Sequence, residues 1–152
     1  DIEWHLIGHL QTNKVKYIAP FVCMIHAVDS IKLLKEINKQ AIKNNRIIDC
    51  LLQVKIAEEE SKFGLSKLET EELLNSEEIK QLHNIYIAGF MGMATNSSDQ
   101  SQVKEEFNSL HTFFKQHRGL STLSMGMSGD YKIAIQEGST MIRVGSTIFG
   151  GR

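Results

Sequence analysis

Proline is almost missing from this chain. Pro20 is the only one among 152 residues, so no proline-rich linker marks a domain boundary. Cysteine is scarce too. Cys23 and Cys50 are the only two, far below the density of a disulfide-stapled secreted scaffold. Each sits in an apolar run, Phe21-Val22-Cys23-Met24-Ile25 and Ile48-Asp49-Cys50-Leu51-Leu52, and reads as a buried free thiol, with a disulfide between them as the alternative. No apolar run approaches the roughly 20 residues that a membrane-spanning helix requires. The opening Asp1-Ile2-Glu3-Trp4 has neither the basic region nor the apolar core of a signal peptide. Neither sign of charge dominates, since 17 Lys and Arg against 18 Asp and Glu leave a formal −1. Nucleic acids and anionic membranes both select for a basic excess, so neither is an expected partner. The expectation is a cytoplasmic globular protein, for which 41% apolar and 23% charged residues are ordinary.

What is present is an alternation of short apolar runs with longer helical patterns. The runs are 4–8, 22–27, 47–56, 84–90, 120–125 and 140–144. Between them, Thr12 is placed to cap a short helix through Tyr17. Ile31, Leu34, Ile37, Ala41 and Ile42 recur at helical spacing from Ser30 to Asn44. Ser66 and Glu69 form a capping box. After the polar turn Asn96–Asp99, Val103, Phe107, Leu110 and Phe114 mark a long helix. Ser128 or Asp130 caps a last helix, which Gly138 ends. Strand–helix alternation repeated about six times predicts a parallel α/β protein in a single domain. Six such units suit an open doubly wound sheet or most of a (β/α)8 barrel, and periodicity does not choose between them.

Two C-terminal segments carry chemistry. In Leu123-Ser124-Met125-Gly126-Met127-Ser128-Gly129-Asp130 a strand ends, glycines free the backbone, and a hydroxyl opens a helix. That arrangement suits an anion such as phosphate, or is an ordinary turn with Ser128 as cap. In Met141-Ile142-Arg143-Val144-Gly145-Ser146-Thr147, Arg143 interrupts an apolar run. Arginine is rarely buried without a partner, so it belongs to a structural ion pair, to a sheet edge, or to a ligand. Gly145-Ser146 again offers backbone N–H groups. Lys14 and Lys16 read as solvated, Lys55 is undecided, and Lys62 lies in a polar loop on the side where barrel sites form. His5 and His26 lie inside strand-like runs as hydrogen-bonded groups or as ligands. Met91, Met93, Met125 and Met127 cluster near strand ends, as packing or as the lining of a ring. No His-x-x-x-His pair carries the glutamate of a zinc-protease helix, and no metal site is expected.

Taken in order, these segments resemble the pyridoxal phosphate homeostasis family (YggS/PROSC type), whose fold is similar to the alanine racemase N-terminal domain. The resemblance rests on Trp4-His5-Leu6-Ile7-Gly8-His9-Leu10-Gln11-Thr12-Asn13-Lys14, Ile25-His26-Ala27-Val28-Asp29-Ser30, Ser61-Lys62-Phe63-Gly64-Leu65 and Gly89-Phe90-Met91-Gly92-Met93. It continues through Leu123 to Ser128 and Arg143 to Gly150. These look like the third to eighth strands of a (β/α)8 TIM barrel, about six of its eight βα units.

The resemblance implies pyridoxal 5′-phosphate (PLP) as ligand and a role in PLP homeostasis, with PLP-dependent apoenzymes as recipients. It places Ser128, Gly145 and Ser146 on the phosphate, Arg143 at the pyridine nitrogen, and Met127 and Lys62 nearby. A permanently charged guanidinium there keeps the nitrogen unprotonated, and the ring becomes a poorer electron sink. The family's cofactor lysine belongs to a first-strand segment that has no counterpart here. The expectation is therefore a truncated barrel domain over 1–152, lacking the first two βα units (roughly 70 to 80 residues by barrel dimensions). Such a chain has no Schiff-base residue and no catalytic turnover, and is a monomer or self-associates through its open strand edges. The alternatives are an amino-acid racemase-like PLP enzyme and a binding module for another phosphorylated metabolite.

Overall fold

Five short strands, all parallel, pair in strict chain order. They are β1 (Trp4–Leu6), β2 (Val22–Val28), β3 (Ile48–Gln53), β4 (Ile85–Gly92) and β5 (Thr122–Met125). The computed structural model describes residues 1–59 and 63–151. The strand order decides between the two sheets left open by periodicity. A doubly wound sheet reverses direction at a switch point, whereas a barrel adds each strand beside the last. The steady order β1 to β5 is that of a half-barrel.

The helices are α1 (Val15–Ile18), α2 (Ile31–Lys43), α3 (Lys67–Asn75), α4 (Gln100–Lys115), α5 (Tyr131–Gln136) and α6 (Ser146–Phe149). Ser30 caps α2 by accepting from the Leu33 N–H, and Ser66 with Glu69 completes a capping box on α3. The stripe Val103, Phe107 and Leu110 on α4 is buried, with Phe113 and Phe114 packed at its end. Successive crossovers of one hand put such helices on one side of the sheet. Their apolar faces meet Ile25, Leu52, Phe90 and Leu123 in the main core. The other face has its own smaller cluster of Met24, Ala27, Leu51, Ala88 and Met91.

Two irregularities aim side chains at that second face. Ile25 pairs with Cys50 and Val28 with Leu52, so β2 carries one residue more than β3 between these pairs. A bulge of this kind turns consecutive residues, here His26 and Ala27, away from the helix side. On β4 the shift falls at Ala88-Gly89. Gly89 is required there, because a Cβ would lie 1.7 Å from the Thr122 carbonyl oxygen.

Three expectations are corrected. The sixth run supplies an isolated bridge, Ser124 to Met141, rather than a strand. The Met141 N–H donates to the Leu123 carbonyl, but the Arg143 N–H reaches Gly126 and misses Met125, whose carbonyl already accepts from the Ser139 hydroxyl. Gly126, at φ +104°, turns the chain and breaks the ladder. Thr12 is not a cap: Gln11 precedes the first turn and makes no side-chain cap bond. Neither Ser128 nor Asp130 caps α5, since the Asp130 carboxylate turns back to the Met127 N–H and Ser128 serves another segment.

Candidate functional site

Beside the end of β5, the segment after Gly138 runs back along the sheet and closes one wall of a cavity of about 410 Å³. His5 and His26 line one side, and Met127, Met141, Arg143 and Gly145 line the other. The buried alternation of β5 places Leu123 and Met125 in the helix-side core, which leaves Ser124 facing the cavity side.

Arg143 is only 6% exposed. Its Nη1 donates to Ser124 Oγ at 2.6 Å, its Nη2 to the Gly92 carbonyl at 3.0 Å, and its Nε to Met127 Sδ at 3.3 Å. All three partners are neutral. Among the described residues no carboxylate forms an ion pair with it. Burial pulls its pKa down to about 10, against a smaller opposing pull from Asp130, so it stays a cation at neutral pH. A buried cation with only neutral protein partners is an electrostatic invitation to an anionic or electron-rich ligand.

Ser124 links Arg143 to a row of imidazoles. Its Oγ lies 2.9 Å from His26 Nδ1, and His26 Nε2 lies 3.1 Å from His5 Nδ1. Burial, with smaller contributions from the charge of Arg143 and from His5, pushes His26 down to about 3 and keeps it neutral.

The second feature is a small cradle. The Gly145 N–H donates to Ser128 Oγ at 3.1 Å and the Thr147 N–H reaches it at 3.4 Å. Gly145, Ser146 and Thr147 are exposed and Ser128 is half-buried, so solvent reaches the cluster. Donors and a hydroxyl that converge from two segments suit a phosphate, which would take the two N–H groups and receive the Ser128 O–H.

The structure thus brings Ser128, Arg143, Gly145, Ser146 and Met127 into one neighbourhood. Lys62 lies outside the described residues. Met127 is 39% exposed and rests on Arg143, while Met91 packs in the core of the second face. Lys14 and Lys16 are exposed. Sequence reasoning missed Ser124, Thr147 and the coupling of His5 to His26. Only one signal in the sequence pointed to these: Ser124, His26 and His5 are polar residues within strand-like runs.

The family profile described as alanine racemase, N-terminal domain, matches residues 3–152. The pyridoxal phosphate homeostasis protein of Aquifex aeolicus is 39% identical over 157 residues, which cover all of this chain and 68% of that protein. PipY of Synechococcus elongatus, solved with PLP bound, superposes with a TM-score of 0.86 at 31% identity, covering 99% of this chain and 71% of its own. The same protein solved without PLP gives 0.87 at 34% identity, over 99% and 72%. The chain therefore spans about two thirds to three quarters of the length of these relatives. With the half-barrel order of its strands and this degree of likeness, the chain belongs to the pyridoxal phosphate homeostasis protein family.

Proposed function

We propose that this chain binds PLP in cofactor homeostasis, as a carrier without catalytic turnover of its own. The observation that carries the reading is Arg143: a buried guanidinium whose hydrogen-bond partners among the described residues are all neutral, at a cavity that the Ser128 cradle adjoins. Ser128 would bind the cofactor phosphate through its hydroxyl, and Gly145, Ser146 and Thr147 through backbone N–H. Arg143 would face the pyridine nitrogen, with Met127 beside the ring. When bound, PLP supplies a reactive aldehyde on an electron-accepting ring, and a guanidinium at its nitrogen weakens that acceptor. This suits storage and delivery better than versatile carbanion chemistry.

The sheet itself we take as the third to seventh strands of a (β/α)8 barrel domain. The eighth is represented by the extended segment around Arg143, and no residue of this chain stands at the family's Schiff-base position. Incubation with PLP, borohydride reduction and intact mass should then leave the chain unmodified. A single phosphopyridoxyl adduct would overturn that point, and Lys62 would be the first lysine to examine. Reversible PLP binding, followed by fluorescence, should weaken about tenfold in Ser128→Ala, as expected for loss of one charge-assisted hydrogen bond. Inorganic phosphate competing as strongly as PLP would favour a general phosphate module instead. Arg143→Glu should shift the absorption of bound PLP by letting its ring nitrogen protonate; an unaltered spectrum would remove Arg143 from that role.

A further inference from the structure

We propose that Ser124 and His26 are positioning residues for Arg143, the working parts of a directional hydrogen-bond row that runs Arg143, Ser124, His26, His5 through the interior and fixes the plane of the guanidinium.

The direction follows from counting donors. Arginine only donates, so Ser124 Oγ accepts from Nη1 at 2.6 Å. The Ser124 side chain is fully buried, and its own O–H needs an acceptor. The partner in reach is His26 Nδ1 at 2.9 Å, which must then be unprotonated. A neutral His26 carries its proton on Nε2 and donates it to His5 Nδ1 at 3.1 Å. In the opposite tautomer His26 donates to Ser124, and the buried Ser124 O–H loses its acceptor. One tautomer satisfies every group, the other orphans one.

The geometry is built for this. The bulge in β2 turns His26 to the cavity side, and the curl of the half-barrel brings it to Ser124, 98 residues away in sequence. The downward shift of His26 agrees with a ring that must stay neutral beside a guanidinium. Among the described residues, the other charged groups that act on the row are Asp49 on β3, near His5, and Asp130, near Arg143. With Nη2 tied to the Gly92 carbonyl and Nε to Met127, the Ser124 bond fixes the remaining arm of the fork. The consequence for a ring nitrogen rests on the proposed PLP reading, whereas the row itself does not.

The test is nuclear magnetic resonance of the whole chain labelled with nitrogen-15, without cofactor. Long-range spectra of the wild type should show His26 protonated at Nε2 alone at neutral pH. A proton on Nδ1 would overturn the proposal without any variant being made. In Ser124→Ala, exchange of the Arg143 guanidinium protons should quicken at least about tenfold, with the rest of the amide spectrum kept. Ser124→Thr, which keeps the hydroxyl, should restore slow exchange. Unchanged Arg143 exchange in Ser124→Ala would overturn the positioning role. PLP binding is measured separately, so an ordered Arg143 in a chain that ignores PLP would sink the function proposed above and leave the row standing.

Discussion

The two faces of the sheet are made by the same strands and hold different chemistry. The helix-covered face buries large, shape-defining side chains: Phe90, Phe107, Ile25, Ile37, Leu52 and Leu110 are essentially inaccessible to solvent. Phe90 stacks on Phe113 at 5.2 Å between centroids. The opposite face packs small or flexible groups, Ala27, Ala88, Met24 and Met91, around Leu51. His26, Ser124 and Arg143 are also buried without entering the helix-side core, and all find hydrogen-bond partners. The contrast separates two tasks. The helix-covered face supplies the apolar burial that offsets chain entropy, and the other face keeps polar groups in fixed places at the site.

The largest expected effect tests the first half of this contrast. Phe107→Ala empties the centre of the helix-side core and should cost about 3–5 kcal/mol in urea unfolding, while Met91→Leu on the other face should cost less than about 1.5 kcal/mol. Equal losses would mean that the second face carries as much of the stability as the first.

A smaller effect comes from acid, and His26 on the second face carries a defined part of it. The usual pKa of His26 is 6.5, and the fold holds it at about 3. Between those values the unfolded chain takes up a proton that the folded chain refuses. This contribution to stability is therefore complete above pH 6.5 and is lost as pH falls towards 3. At pH 4.5 the loss should be roughly 2–3 kcal/mol, at about 1.4 kcal/mol per unit. Asp49 opposes it, because burial holds its carboxyl above the usual range and so favours the folded state in acid. Urea midpoints at pH 7 and 4.5 should therefore diverge in the wild type and move closer together in His26→Gln. A gap of the same size in both proteins would shift the acid sensitivity to other groups.

How much of this was legible beforehand follows the same divide. The helix-side core is written as periodicity. Val103, Phe107 and Leu110 announce α4, and Ser66 with Glu69 announces the start of α3, because local spacing and local capping are sequence properties. The strand runs were equally visible, apart from the segment around Arg143, whose ladder fails for a reason local pattern does not contain: the Ser139 hydroxyl occupies the Met125 carbonyl. Ser128, Gly145 and Arg143 were each singled out in the sequence, but not what holds them. Ser128 read as a phosphate ligand or as a cap for the helix that follows it, and neither reading contains that its oxygen serves amides 17 and 19 residues onward. The link from Ser124 to His26 spans most of the chain and depends on a bulge, and neither leaves a periodic trace.

The smallest perturbation sharpens the contrast without changing stability. Cys50 and Cys23 are both free thiols in neighbouring strands. Cys50 belongs to the helix-side core, fully buried, and burial with the nearby charge of Asp49 pushes its thiol far above the ordinary range. Cys23 is only half-buried. Because the thiolate is the reacting species, the two should differ in rate and not merely in access. Native protein treated with iodoacetamide should gain one carbamidomethyl group quickly, at Cys23, and the second only at the rate at which the core opens. Adding urea below the unfolding midpoint should accelerate the second step alone. Rapid double modification in buffer would mean that the helices leave the sheet often, and that the burial ascribed to the first face is not maintained in solution.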